Sequence, residues 1–552
     1  MSRKLPSRTA IAAALLAAVA IVVAALSIAP SASARTVANV DDGRPNILVV
    51  MTDDMAVTDL KFMPNVRHLL ADKGTTFADA VDSFPLCCPA RATFITGQYA
   101  HNHGVEGNFF PYGWYGMKDR DNILPAWLQK AGYRTGAIGK WLNGYGSKDG
   151  HGEIPHGFDI WRGLLDASAY DYYNYVMNAN GRLRIWGDPE FARKLVEFAQ
   201  IQTKPNPAGY AGVVAQLIKV FGPPPYHYWG ASEPKDYSPD VTGQVTTKLV
   251  RRQRKSKDPF FLWWSPAAPH REDVATTLMM RPGQDPRPAP RHADDVADLT
   301  VPQGPSFNEA DISDKSANLK ETVGSPMTAK QIHQLDLDYQ GRAGSLMAVD
   351  DHVGKLVQTL RQTHQLKNTT IVFTSDNGWL QGQHRIPGDK FLPFEESLRV
   401  PLIVRGPGIP QGQTIHGQVS NVDFAPTLLD IARAKRTAGR KLDGVSLLPA
   451  MHDPSKKPDR AIALEALKRL FKESSGIPNN RWDRPYQGVR TDRYTYVVWK
   501  ETGEVELYDR KKDPNELDNV AGDAAYADVV AELSHKTALL ENCKGKSCNV
   551  PQ

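Results

Sequence analysis

The chain has 552 residues, 41% of them hydrophobic and 23% charged, and a formal net charge of +5. That length exceeds one small domain and can bury a large core, and the composition is that of an ordinary globular protein. Arg3, Lys4 and Arg8 supply three of the charges from the amino terminus, which leaves the remainder near +2 (5 − 3), and with no dense basic run elsewhere a nucleic-acid partner is excluded.

Residues 1–34 read as a targeting segment. The basic start is followed by Thr9 to Pro30, almost wholly Ala, Leu, Ile and Val, and by Ala32-Ser33-Ala34, a small-residue cleavage pattern. This predicts a signal peptide, a secreted or cell-surface protein, and no stable membrane span after cleavage. The apolar run is long for a signal peptide, so an uncleaved anchor is the alternative.

From Asn46 onward, five short apolar runs each end in polar residues. Asn46 to Thr52 ends in Asp53-Asp54, and Tyr133 to Ile138 in Gly139-Lys140. Phe260 to Trp264 runs through Ser265-Pro266-Ala267-Ala268-Pro269 to His270. Thr370 to Thr374 ends in Ser375-Asp376-Asn377-Gly378, and Val400 to Val404 in Arg405-Gly406. Each has the pattern of a buried strand. Between them, Leu60 to Lys73 and Gln331 to His364 carry apolar residues at helical spacing. Strands alternating with helices predict an α/β protein with a large, mostly parallel sheet flanked by helices. Ligands of such sheets bind beyond the carboxyl ends of the strands, where four of the five runs deliver acids, an amide, a lysine or a histidine. Asp53, Asp54, Asp376 and Asn377 are oxygen donors suited to a hard cation, Ca²⁺ or Mg²⁺, and no His/Cys cluster has zinc spacing. Asp350-Asp351 sits inside a helical pattern and reads as solvated surface.

Gly163 to Lys255 holds few clean strands and many aromatics, among them Tyr170, Tyr172, Tyr173 and Tyr175. It reads as an insertion whose rings either line the site or fill core. Met279 to Pro305 reads as a surface loop. The main domain is expected over residues 44–450 and a small α+β subdomain over 455–552. In the latter, Tyr494 to Trp499 and Glu504 to Tyr508 form antiparallel strands, and Ala524 to Leu540 a helix. Cys543 and Cys548 lie close together in a polar tail and would pair in an exported protein.

Cys87 and Cys88 remain. Adjacent cysteines are commonly small apolar core residues or redox partners. Here Pro89 lies two places and Arg91 four places after Cys87, with Thr96-Gly97 beyond. That spacing resembles the modification signature of the type I sulfatases. Gly132-Tyr133-Arg134-Thr135 with Gly139-Lys140 and Gly144 resembles the second signature of that family. Thr374 to Gly378 resembles its metal-binding segment. Lys390 with Phe394-Glu395 and Arg399-Val400-Pro401 resembles the segment of its second lysine, and Glu506 to Asp509 with Asp513 to Glu516 its carboxyl-terminal subdomain. Gly139 to Gly146 and Gln98 to His103 look most like the N-acetylglucosamine-6-sulfatase and arylsulfatase branch.

The resemblance implies an alkaline-phosphatase-like fold and hydrolysis of an aryl or carbohydrate sulfate ester. Cys87, oxidised to formylglycine by a formylglycine-generating enzyme, would be nucleophile and metal ligand once hydrated. Asp53, Asp54, Asp376 and Asn377 would bind Ca²⁺, with Mg²⁺ the alternative. Arg91, Lys140, His270 and Lys390 would contact the hydrate or the sulfate, where a cation, fixed positive groups and a proton donor are needed. The chain departs from the family pattern at Leu142, where many sulfatases carry histidine, and at Ala90, where serine is commoner. His103, His151 and His384 are the substitutes to test for the former. Rival readings are a phosphonate or phosphodiester hydrolase of the same superfamily and a non-catalytic, metal-stabilised binding protein.

Overall fold

A computed structural model describes residues 43–108, 111–147, 152–188, 190, 233–272, 285–467 and 484–552. The leader and His151 lie outside them. The expected runs all form strands: β1 (Asn46–Thr52), β3 (Arg134–Gly139), β7 (Phe260–Ser265), β8 (Thr369–Ser375) and β9 (Arg399–Arg405). They join β2 (Thr75–Val81), β4 (Ile160–Leu164), β5 (Tyr175–Ala179), β6 (Arg182–Trp186) and β10 (Gln413–Ser420) in one sheet of order β10-β2-β9-β8-β1-β7-β3-β4-β5-β6. The five strands from β8 to β4 are parallel.

The apolar runs are buried on both faces, which is why they lack polar alternation. In β1, Ile47, Val49 and Met51 point into one core, while Leu48 and Val50 point into another. β7 divides likewise, with Phe261 and Trp263 against Phe260, Leu262 and Trp264. The first core includes the helices Cys87–Thr96, Leu124–Lys130 and Phe424–Ile431. The second includes Ser238–Gln253 and the long Ala329–Gln362 helix. Thr328 and Gln331 start that long helix with a reciprocal capping box.

Several expectations need correction. β9 runs antiparallel to both β8 and β2, so Arg405 lies at the opposite edge from the other strand ends. Leu60 to Lys73 is not one α-helix. It divides into a 3₁₀ segment, Val57–Phe62, and a π-helical segment, Val66–Ala71. Pro64 lacks an N–H and disfavours helical geometry at Met63, where φ is −121°.

Asp350 is buried rather than solvated. Its carboxylate accepts from the backbone N–H groups of Asn65 and Val66, both at 2.8 Å, where the π-helical segment begins. Asp351 is a third exposed and pairs with Arg291 at 2.7 Å. The described part of Gly163 to Lys255 extends the main sheet through β5 and β6 and adds a helix. Within Met279 to Pro305, the described residues pack against the fold, with Ala289, Val296 and Val301 buried. A Cβ at Gly341 of the long helix would fall 1.8 Å from the Pro286 carbonyl oxygen, so only glycine permits that contact.

The carboxyl-terminal unit is a four-stranded antiparallel sheet: β11 (Ile462–Ala466), β12 (Tyr486–Arg490), β13 (Tyr494–Trp499) and β14 (Val505–Asp509). The helix Ala527–Leu540 packs on it, and Cys543 and Cys548 form the expected disulfide. His101 joins this unit to the chain just beyond the Cys87–Thr96 helix. Its Nδ1 meets the Glu465 carboxylate on β11, and its Nε2 lies 2.9 Å from the Cys543 carbonyl oxygen.

Burial opposes protonation of His101, but Glu465 outweighs it and raises the imidazole to about 9. A histidine raised on folding adds stability that is complete below its unfolded value and lost as pH climbs through its folded one. Urea unfolding is therefore expected to show a loss of about 1.5–3 kcal/mol between pH 6.5 and 9.5. A His101→Gln variant should show a correspondingly flatter profile.

Candidate active site at the carboxyl edge of the sheet

Backbone hydrogen bonds continue past the strand ends and fix the residues just beyond them. Asp53 N–H donates to Ala268 O at 3.1 Å, Asp376 N–H to Thr52 O at 3.2 Å and Lys140 N–H to Ser265 O at 2.8 Å. The turn from β3 requires Gly139. Its φ is +102°, and a Cβ there would lie 2.0 Å from the Ser265 carbonyl oxygen. Asp54 holds a φ of +65°, a costly conformation for a residue with a side chain. Arg342, from the long helix, supports it by donating to its carbonyl at 2.5 Å.

Cys87 opens the fully buried Cys87–Thr96 helix, which ends at Gly97 with a φ of +64°. The helix aims its amino terminus at the strand ends, a place that favours negative charge. The Cys87 Sγ lies 3.0 Å from Lys390 Nζ and 3.6 Å from Asp53 Oδ1. Cys88 points elsewhere, toward the Asn143 carbonyl at 3.9 Å. Arg91, one turn along, donates to Asp376 Oδ2 at 2.8 Å, Ser265 Oγ at 2.6 Å and the Lys140 carbonyl at 3.1 Å.

Lys140 Nζ bonds Asp53 Oδ2 at 2.5 Å, and Lys390 Nζ bonds Asp54 Oδ1. The segment carrying Lys390 is held from two sides. Phe391 N–H donates to Pro85 O at 2.9 Å, and Tyr486 of β12 donates to the Phe391 carbonyl at 2.6 Å. His270 comes after β7, with Nε2 3.4 Å from Asp54 Oδ2 and Nδ1 2.6 Å from the Arg271 carbonyl.

All nine residues singled out from the sequence thus converge on one edge. Asp53, Asp54, Cys87 and His270 can place ligand atoms within 4.8 Å of one another, a divalent-metal site. Asp376 lies just outside that group. Its Oδ1 accepts from the N–H groups of Asp54 and Asn377, and its Oδ2 from Arg91. Two buried oxygens, Asp54 Oδ2 and Asn377 Oδ1, have no hydrogen-bond donor among the described residues. Buried acceptors are rarely left so, and a cation satisfies both. The Nδ1–H of a neutral His270 goes to the Arg271 carbonyl, so its Nε2 lone pair faces Asp54 Oδ2 with no proton between them.

Burial dominates the electrostatics. It pushes the Cys87 thiol up to about 12 despite Lys140 and Lys390, so an unmodified Cys87 is a protonated, weak nucleophile. It also lowers His270 to about 4 against the pull of Asp54. Burial resists ionisation of Asp54 too, but Lys390 above all, with Lys140, overcomes it and holds the carboxyl well below the usual range.

The described histidines proposed to stand in at Leu142 serve elsewhere. His103 is buried with Nε2 3.0 Å from Thr93 Oγ1, and His384 stacks on Phe394 with Nδ1 2.6 Å from Glu309. Leu142 itself is packed in the first apolar core. Ser265, Arg342 and Tyr170 at the site were not assigned roles from the sequence. Only the placement of Ser265 at the end of an apolar run signalled it.

A buried cluster of carboxylates, lysines and a thiol at the carboxyl edge of the parallel strands, with four residues able to hold a divalent metal, defines an α/β enzyme site. A family model described as Sulfatase matches residues 45–434, and one described as N-sulphoglucosamine sulphohydrolase, C-terminal, matches residues 382–543. The chain is 30% identical to the N-acetylglucosamine-6-sulfatase of Capra hircus over 545 residues, covering 92% of this chain and 85% of that protein. It is likewise 30% identical to the arylsulfatase of Volvox carteri, covering 92% and 76%. BT4656, solved in complex with its substrate D-glucosamine-2-N,6-O-disulfate, superposes with a TM-score of 0.66 at 23% identity, covering 92% of this chain and 98% of that one. The chain belongs to the type I sulfatase family, and it is an enzyme that hydrolyses sulfate esters.

Arg91 neutralises Asp376 and approaches Asp53 to 3.8 Å, all three fully buried. Arg91→Ala leaves the buried Asp376 carboxylate without its cation, while Asp53 keeps Lys140, and is expected to cost about 3–5 kcal/mol of stability. Denaturant unfolding of the variant beside the parent measures it.

Proposed function

We propose that the chain is an exported sulfatase that removes sulfate from a carbohydrate ester, using formylglycine made from Cys87 and a bound Ca²⁺. The observation that carries this reading is the setting of Cys87, at a helix amino terminus between Lys390 and Asp53, within the four-residue metal-binding group. The high thiol pKa supports it, because an unmodified cysteine there is a poor nucleophile. The Cys87-x-Pro89-x-Arg91 spacing supports conversion by a formylglycine-generating enzyme. The leader pattern over residues 1–34 supports export of a main domain over residues 44–450. The named activities of the relatives support a glycan sulfate, with aryl sulfates as convenient surrogates.

Asp53, Asp54 and Asn377 Oδ1 would hold the cation, and Asp376 can still accept at its remaining lone pairs. A bound divalent cation supplies polarisation of the sulfate oxygens. The oxygen donors of Asp53, Asp54 and Asn377 suit a hard cation, and Ca²⁺ is the better fit because Mg²⁺ keeps several waters and demands near-octahedral geometry. Formylglycine supplies a hydrated aldehyde, one hydroxyl to take the sulfuryl group and a second to expel sulfate.

The chain's own groups do the rest. Lys390 Nζ, beside both the Cys87 side chain and Asp54, steadies the nucleophile and the charge that gathers on it. Lys140, beside Asp53, faces the sulfate oxygens. The open Nε2 of His270 can accept a proton from the attacking hydroxyl or return one to the departing alcohol oxygen. Arg91 holds Asp376 rigid behind them.

The direct test compares kcat/KM on an aryl sulfate, a glucosamine 6-sulfate and an aryl phosphodiester, using protein matured in its own host. Sulfate esters should be preferred, and Cys87→Ala should lower kcat by at least about a thousandfold. A dominant phosphodiesterase activity would instead establish the rival hydrolase. Stripping metal with a chelator should abolish turnover and lower Tm. Ca²⁺ at 100 times its Kd should return about 2.7 kcal/mol of stability, with Mg²⁺ restoring less.

A further inference from the structure

Tyr170 lies in the loop after β4, beyond the Asp166–Ser168 turn, and is 2% exposed. Its ring meets two of the proposed catalytic groups. The His270 ring is 4.2 Å away, centroid to centroid, tilted by 36°, and Lys140 Nζ lies 4.4 Å from the ring centre. The hydroxyl accepts a hydrogen bond from Asn143 Nδ2, so the ring plane is fixed from the segment that carries Lys140. Asn143 in turn is anchored where Trp114 N–H donates to its carbonyl at 2.8 Å.

Lys140 and His270 both gain from that ring. Lysine ends a flexible four-carbon stem, and without a second contact its ammonium would be placed only by Asp53. A π face over the ammonium adds a directional attraction that strengthens where water is excluded. The imidazole needs a defined ring orientation to present Nε2, and its Nδ1 contact alone leaves rotation about that bond. One aromatic ring supplies both constraints.

We infer that Tyr170 is a positioning residue of the sulfatase site, whose ring sets Lys140 and His270 in register with each other. This rests on the roles proposed above for those two residues. It acts through the ring more than through the hydroxyl.

The test uses mature, metal-loaded protein carrying Tyr170→Phe, Tyr170→Leu or Tyr170→Met, assayed with an aryl sulfate. Tm and the aldehyde content of the Cys87 peptide are measured on each so that only folded, matured enzyme is counted. Tyr170→Phe keeps the ring and is expected to hold kcat within about threefold. Leu and Met lack a π face and are expected to lose about ten- to a hundredfold in kcat, the scale of misplacing reacting groups, with KM little changed. Two variants of different shape keep the result readable if one folds poorly. The inference is overturned if Leu and Met retain kcat, if Phe falls as far as they do, or if the loss lies in KM. A parent enzyme that hydrolyses no sulfate ester would instead sink the functional reading itself.

Discussion

The burial of Asp53 and Asp54 at the end of β1 is the constraint on which the rest of the site depends. Two adjacent carboxylates without water are very costly unless matched by positive charge. The fold matches them from four directions. Lys140 comes after β3, Lys390 from the segment braced by the carboxyl-terminal sheet, Arg91 from the helix of Cys87, and Arg342 from the opposite layer onto the Asp54 carbonyl. With Asp376 included, three carboxylates face three side-chain cations close at hand, so the cluster is near neutral before any ligand arrives. A divalent cation then tips it positive, which suits a sulfate ester.

This arrangement also explains why the carboxyl-terminal unit is integral to the active site. Tyr486, Trp499 and Tyr508 share an apolar cluster with Phe391, Leu392 and Phe394. That cluster and the Tyr486 hydrogen bond place Lys390 against Cys87. The His101–Glu465 pair ties the same sheet to the chain just beyond the Cys87–Thr96 helix. A sheet that lies outside the buried cluster thereby sets the position of one of its lysines.

Much of this was legible in the sequence, for a physical reason. Strands buried on both faces must be continuously apolar, so polar residues at their ends stand out, and Asp53, Lys140, His270 and Asp376 were found that way. Cys87 could be told from Cys88 by its match to the sulfatase signature, and the structure separates them as sharply, one toward Lys390 and the other toward a backbone carbonyl. Other features left no such trace. An apolar run reads the same in either direction, so the reversal of β9 was invisible. Asp350 resembles any helical surface acid until Asn65 and Val66 are seen to need an acceptor. Tyr170 was one aromatic among many, because nothing local distinguishes a ring that faces His270 from one that fills core.

The central claim is that Cys87 is a modified nucleophile at a metal centre. The most direct measurement is the mass of the tryptic peptide containing Cys87 and Cys88, taken from active protein purified from its own host. The account predicts an aldehyde or its hydrate at Cys87 with Cys88 an unchanged thiol. Full occupancy by unmodified cysteine at position 87, in protein that binds metal and turns over sulfate esters, would contradict it.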